Sequence, residues 1–106
     1  MPVKIRQIDY FLALCEEQNF TRAAKRCGVA QPSLTRAIQQ LEQELGCPLF
    51  ERKQSVVHLT GAGALIRPDF ERIALAVADV TRKAEQFGAT PQNQSDPDQW
   101  RHSCVS

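Results

Sequence analysis

Hydrophobic residues recur at helical spacing at the start of the chain. Ile5, Ile8, Phe11 and Cys15 are separated by polar residues, which predicts an amphipathic helix over residues 5–18. A second, short helix is predicted from Phe20 to Cys27. Its N-cap is Asn19, and Gly28 can end it by adopting a positive φ.

A third helix, over residues 31–45, has an apolar and a polar face. Leu34, Ile38, Leu41 and Leu45 follow one another at spacings of four, three and four, so they face a core. The opposite side, with its flanks, carries polar groups and no acid: Pro32, Ser33, Thr35, Arg36, Gln39, Gln40 and Gln43. Amide, guanidinium and hydroxyl groups are those that read base edges in the major groove. Two helices joined by a tight glycine turn therefore predict a helix-turn-helix motif.

A β-hairpin is predicted after the third helix. The segments 49–52 and 56–60 are rich in apolar residues and bracket the polar turn 53–55. The predicted fold is therefore mainly α, a winged helix-turn-helix of three helices and a hairpin wing over residues 3–60. Arg52 and Lys53 lie near the wing, where they contact phosphate or the minor groove or are simply solvated charges.

A long helix is predicted over residues 61–87, with Thr60 as N-cap and Gly88 as stop. Its apolar residues follow a seven-residue repeat, which is typical of a coiled coil and predicts a dimer. Pro68 lies inside it, and two shorter helices that fold back on the domain are the alternative. We call the repeating residues the heptad series: Ile66, Phe70, Ile73, Val77, Val80, Ala84 and Phe87.

The charged residues are distributed unevenly along the chain. Residues 1–67 hold nine basic and six acidic residues, net +3, whereas residues 68–106 hold four and six, net −2. Between Glu17 and Glu42 there are four cations and no acid: Arg22, Lys25, Arg26 and Arg36. Such a surface is a candidate for contact with phosphate, and an ordinary solvated helix face is the alternative.

Other functional classes find little support. The four cysteines, Cys15, Cys27, Cys47 and Cys104, form no CxxC pair, so we expect reduced thiols, with a reactive Cys47 as the alternative. We expect no catalysis, because the sequence has no nucleophile–base pair, metal cluster or phosphate-binding glycine loop. No cofactor, metal or membrane partner is expected either. The N-terminus carries no secretory signal, so we expect a cytoplasmic protein, and residues 88–106 read as a disordered tail.

Many residues in register resemble the N-terminal DNA-binding region of LysR-type transcriptional regulators. They cover about residues 3–87: Tyr10-Phe11, Phe20-Thr-Arg-Ala-Ala24, Val29-Ala-Gln-Pro-Ser-Leu-Thr-Arg36, Ile38, Leu41-Glu42, Glu44-Leu-Gly46, Leu49-Phe-Glu-Arg52, Leu59-Thr60 and Ala62-Gly63.

The resemblance implies a helix-turn-helix over residues 20–39 and a linker helix after Thr60 through which family members dimerise. It also implies duplex DNA as partner. The candidate DNA-binding residues are Thr21, Arg22, Gln31, Pro32, Ser33, Thr35, Arg36, Gln39, Gln40, Arg52 and Lys53. Family members continue into an effector-binding domain that residues 88–106 do not resemble, so we expect no small-molecule effector site in this chain.

Two hypotheses follow. In the first, the chain is a homodimeric regulator that binds an inverted repeat in DNA. In the second, it is a truncated partner that forms heterodimers with full-length regulators through the linker helix.

Overall fold

The computed structural model describes residues 3–54 and 56–88. It confirms a mainly helical winged helix-turn-helix with an antiparallel hairpin. From residue 89 onward, the predicted tail lies outside the described residues, and so does Cys104. The elements in chain order are α1 (Ile5–Glu17), α2 (Phe20–Cys27), α3 (Gln31–Leu45), β1 (Phe50–Lys53), β2 (Val56–Leu59) and α4 (Gly61–Gln86).

The helix ends follow the local signals in the sequence. Asn19 Oδ1 accepts a hydrogen bond from the Arg22 N–H at 2.8 Å, which caps α2, and Gly28 ends α2 with φ +72°. Pro32 occupies the first turn of α3, where its missing N–H costs nothing. α1 ends one residue earlier than predicted, because Gln18 adopts the left-handed conformation with φ 56°.

The hairpin is in the predicted place, with β1 shifted by one residue along the chain and β2 one residue shorter. Phe50 pairs with Leu59 and Lys53 with Val56, and Gln54 turns the chain with φ 50°. Leu49 was predicted to begin the first strand. The ladder instead begins at Phe50, although the Leu49 carbonyl oxygen still accepts a hydrogen bond from the Thr60 N–H at 3.0 Å.

The chain divides into two compact units, and the core of the first one includes part of α4. The Phe11 ring contacts Phe50 at 5.2 Å and Phe70 at 5.0 Å between ring centroids. Gly63 is buried so closely that a Cβ there would lie under 3.0 Å from the Leu49 carbonyl oxygen. This compact unit extends into α4 as far as Ala74.

The heptad series is consequently divided between two environments. Phe70 is buried in the core and Ile66 packs against it, so both serve the fold of the first unit. Ile73 and Val77 are each 38% exposed, Val80 is 65% exposed and Phe87 is 95% exposed. The sequence repeat alone could not separate these two groups, because core packing and helix pairing use the same spacing. None of the helices in the described part of the chain is long and apolar enough to cross a membrane.

Candidate nucleic-acid interface

The polar face of α3 is exposed along its length. Leu34, Ile38 and Leu41 are buried beneath it, which fixes the rotation of the helix. The candidate residues on this helix are exposed, with Thr35 half-buried: Gln31, Pro32, Ser33, Thr35, Arg36, Gln39 and Gln40. The predicted division of α3 into a core face and an accessible face is confirmed.

The start of α2 lies beside the start of α3. Thr21 and Arg22 are exposed, and the Thr21 hydroxyl donates to Gln31 Oε1 at 3.2 Å. This hydrogen bond joins two candidate residues that are ten positions apart in the chain. It orients the Gln31 amide so that its oxygen faces Thr21.

Arg52 connects the wing to the helix-turn-helix. Its guanidinium carbon lies 4.8 Å from the centroid of the Phe20 ring, a cation–π contact at the start of α2. Arg52 lines an open hollow of about 450 Å³ between α3 and the hairpin, together with Thr35 and Gln39. It also lines a smaller one of about 190 Å³ with Thr21 and Gln31. The structure thus brings Arg52 close to candidate residues of both helices, whereas Lys53 is exposed at the end of β1.

Glu42 is a residue of this region that the sequence did not single out. One carboxylate oxygen, Oε2, accepts hydrogen bonds from the backbone N–H groups of Leu49 at 2.7 Å and Phe50 at 3.1 Å. From the sequence alone, a glutamate that follows a buried helix residue cannot be distinguished from an ordinary solvated surface charge. The available signal was its place in the Leu41-Glu42 pair of the family resemblance.

The basic cluster is smaller than the sequence indicates. Arg26 forms ion pairs with Glu16 and Glu17 of α1, and the hydrogen bond that its guanidinium donates to Glu16 raises the pKa of Arg26. Of the four cations of the candidate surface, Arg26 is thus already paired with acids of α1.

The other cations of this face have no such partner. No carboxylate of the described residues forms an ion pair with these side chains of α2, α3 and the wing: Arg22, Lys25, Arg36, Arg52 and Lys53. Their charge is available to an external anion.

Burial makes two of the thiols less acidic. Burial raises the pKa of the Cys15 thiol to about 11 and also raises the pKa of Cys27. Cys15, Cys27 and Cys47 are free thiols. Within residues 3–54 and 56–88, no three His, Cys, Asp or Glu side chains are grouped so as to hold a metal ion.

Comparison with known proteins gives consistent matches. The family described as bacterial regulatory helix-turn-helix protein, lysR family, matches residues 5–64. The transcriptional regulator ClcR of Pseudomonas putida is 45% identical over 80 residues, which are 76% of this chain and 27% of ClcR. The regulator BudR of Klebsiella aerogenes is 44% identical over 77 residues, 73% of this chain and 53% of BudR. The chain thus spans only part of the curated relatives it matches.

Solved structures agree with these relatives. The DNA-binding domain of CbnR in complex with DNA is 39% identical with a TM-score of 0.69, covering 82% of this chain and 99% of that one. The DNA-binding domain of BenM in complex with its catB site 1 DNA is 34% identical with a TM-score of 0.75, covering 82% and 98%.

Proposed function

Because the chain belongs to the LysR family of bacterial regulatory helix-turn-helix proteins, we propose that it binds duplex DNA sequence-specifically and thereby regulates transcription. α3 enters the major groove, and its exposed polar face reads base edges. We expect no catalytic activity and no cofactor requirement, because the relatives are named as transcriptional regulators.

One observation carries this proposal: among the residues that the structure describes, no acid pairs with Arg22, Lys25, Arg36, Arg52 or Lys53. Arg36 projects from the same exposed face as the glutamines and forms no ion pair within residues 3–54 and 56–88. A side chain already held in an ion pair would have to break it before binding phosphate or guanine. An unpaired guanidinium beside neutral amides suits both ligands.

The candidate residues divide into two roles in this proposal. Arg36, Gln39 and Gln40 lie along the exposed face and approach bases. Residues at the helix starts and the wing approach the backbone or the nearest bases: Thr21, Arg22, Gln31, Pro32, Ser33, Thr35, Arg52 and Lys53. Arg52, held against Phe20, reaches the DNA backbone from a fixed position.

We further propose that the chain acts as a dimer through α4. Val77, Val80 and Phe87 expose apolar surface along the heptad series, and a second copy of the helix would cover it. Two copies of α3 would then read an inverted repeat with half-sites whole helical turns apart. In this arrangement, residues 3–60 supply the DNA-binding part and 61–87 the helix that joins two copies.

The test of DNA binding is fluorescence anisotropy on a duplex from the chain's own promoter region and on a scrambled duplex, each across a salt series. We expect the promoter duplex to bind at least about tenfold tighter, since each good base contact discriminates by roughly 1–3 kcal/mol. Log affinity should fall by about 0.9 per log unit of salt for each phosphate contacted. Absence of binding to either duplex by folded protein would overturn the proposal.

Arg36→Ala provides the residue-level test. We expect it to weaken binding to the promoter duplex by about tenfold and to leave the fold intact, because Arg36 is exposed. Arg72→Ala is the matched control, since Arg72 is also exposed but is paired with Asp69 within α4. Equal effects of the two variants would contradict the assignment of Arg36.

Sedimentation of the chain, alone and with Val80→Glu, tests the dimer. We expect a dimer that the variant converts to monomer. A chain that is monomeric alone but co-purifies with a full-length family member would instead favour the heterodimer hypothesis.

A further inference from the structure

Glu42 holds the wing against α3. Its carboxylate projects from the last turn of α3 and accepts hydrogen bonds from the N–H groups of Leu49 and Phe50, where the chain enters β1. In the described part of the chain, these are the two hydrogen bonds that join α3 to the hairpin region. We propose that Glu42 is a positioning residue that sets the wing at the distance from α3 needed for both to contact one DNA duplex. This inference rests on the proposed function.

The geometry favours a firm link. Both N–H groups bind the same carboxylate oxygen, at 2.7 and 3.1 Å, and hydrogen bonds to an ionised acceptor are stronger than those between neutral groups. Leu49 is fully buried, and its N–H has the Glu42 carboxylate as its hydrogen-bond partner, so loss of the carboxylate removes that partner from a buried donor. These hydrogen bonds thereby fix the start of β1 to α3.

The position of the wing cations depends on this link. Arg52 and Lys53 follow Phe50 by two and three residues in β1, so a shift at Phe50 is carried along the strand to them. Arg36 lies on α3, the helix that carries Glu42. The carboxylate therefore sets the distance between the cation proposed to read bases and the cations proposed to contact phosphates.

Other contacts keep the hairpin folded without Glu42. The Val57 N–H donates to the Gln18 carbonyl oxygen at 3.2 Å, and Phe50 packs on Phe11. Removing the carboxylate should therefore loosen the placement of the wing without dismantling the strands. A purely structural role would lower the melting temperature but would not change how many phosphates the folded protein contacts.

The experiment measures the salt dependence of binding to the promoter duplex for Glu42→Ala, for the double variant of Arg52→Ala with Lys53→Ala, and for all three changes together. We expect Glu42→Ala to reduce the slope of log affinity against log salt by about one to two, as the double variant does. Adding Glu42→Ala to the double variant should change the slope no further, because the same contacts are already absent.

Two further variants separate position from charge and guard against misfolding. Glu42→Asp keeps the charge but shortens the reach by one methylene, so its slope should fall between those of the wild type and Glu42→Ala. Glu51→Gln removes an exposed carboxylate that, like Glu42, lines the hollow of about 450 Å³ between α3 and the hairpin. Its slope should match that of the wild type.

The outcomes distinguish the two proposals. If the wild-type chain shows no salt-dependent binding, the proposed function fails. If the wild type binds and Glu42→Asp keeps the wild-type slope, or the Glu42→Ala effect adds fully to that of the double variant, the positioning role of Glu42 is overturned.

Discussion

The cations of α4 are paired with acids, whereas on the face formed by α2, α3 and the wing the described cations other than Arg26 form no ion pair. In α4 each described cation has an acid three or four residues away, as with Arg67 and Glu71 at 3.1 Å and Lys83 and Asp79 at 3.0 Å. Arg72 and Arg82 pair likewise with Asp69 and Asp79. On α3 the residue four positions after Arg36 is Gln40, a neutral amide.

This difference shows that the number of cations is a poor guide to function. The arginines of α4 are paired with acids of the same helix, whereas Arg36 of α3 forms no ion pair in the described part of the chain. Exposed pairs contribute only about 0–1 kcal/mol to stability, so the α4 pairs matter mainly because they neutralise the surface. On the other face, the described cations that form no ion pair keep an unneutralised charge at the surface.

We expect the largest effect on stability from Gly63→Ala, because Gly63 of α4 packs against Leu49, the residue that precedes the wing. A Cβ at Gly63 would meet the Leu49 carbonyl oxygen and the Leu59 side chain, each closer than 3.0 Å. We expect a loss of about 1–3 kcal/mol in the free energy of unfolding, because backbone on one side of the contact cannot give way. Urea denaturation followed by circular dichroism measures it.

Gly61→Ala is the control for that experiment. Gly61 also lies in the first turn of α4, but a Cβ there meets no atom within 4 Å. Its free energy of unfolding should stay equal or rise slightly, since alanine is the better helix former. If both variants lose equal stability, helix propensity and not the close approach of Gly63 explains the loss.

A second change makes α3 resemble α4. Gln40→Glu places an acid four residues after Arg36, the spacing that pairs Arg67 with Glu71. We expect about tenfold weaker binding to the promoter duplex and a salt slope smaller by about 0.9, because one cation is neutralised and an acid faces the DNA. The free energy of unfolding should change by no more than about 0.5 kcal/mol.

Two controls bracket this prediction. Gln43→Glu adds the same charge to α3 but lies seven residues from Arg36, beyond pairing distance, so its effect on affinity should be smaller. Glu71→Gln frees Arg67 in α4 and should leave affinity unchanged. If freeing Arg67 raises affinity as much as neutralising Arg36 lowers it, the distinction between the two regions is wrong.

The smallest effect is expected from alkaline pH and involves the core. Burial raises the pKa of Cys15 to about 11, above its value in the unfolded chain, so the folded state binds the proton more tightly. The contribution of Cys15 to stability is therefore complete below about pH 8.5 and declines as the pH rises towards 11. Melting temperatures of the wild type and Cys15→Ala across this range test it, and the variant should show the shallower decline. Parallel curves would contradict the assignment to Cys15.

The sequence predicted α2 and α3 to the residue because their ends carry local signals. Asn19 caps one helix, Gly28 ends it, and Pro32 sits in a first turn. These effects act within a few residues and need no tertiary contact. The accessible face of α3 was predictable for the same reason, since the leucine spacing fixes which side is buried.

The parts that the sequence did not predict depend on contacts between distant residues. Glu42 binds N–H groups seven and eight residues later, which no helical periodicity reveals. The pairing of Arg26 with Glu16 and Glu17 joins two helices. The burial of Phe70 requires knowing that Phe11 lies opposite it, because a heptad position can face a core or a partner equally well.

The aromatic contact of Phe11 also constrains how the protein is made. Phe11 leaves the ribosome early, but its two ring partners, Phe50 and Phe70, are separated by a further twenty residues of synthesis. At about 5–20 residues per second, roughly one to four seconds pass between the two partners. A nascent chain that already has three helices and the hairpin therefore still exposes one side of the Phe11 ring. The domain is complete only when the first turns of α4 have emerged.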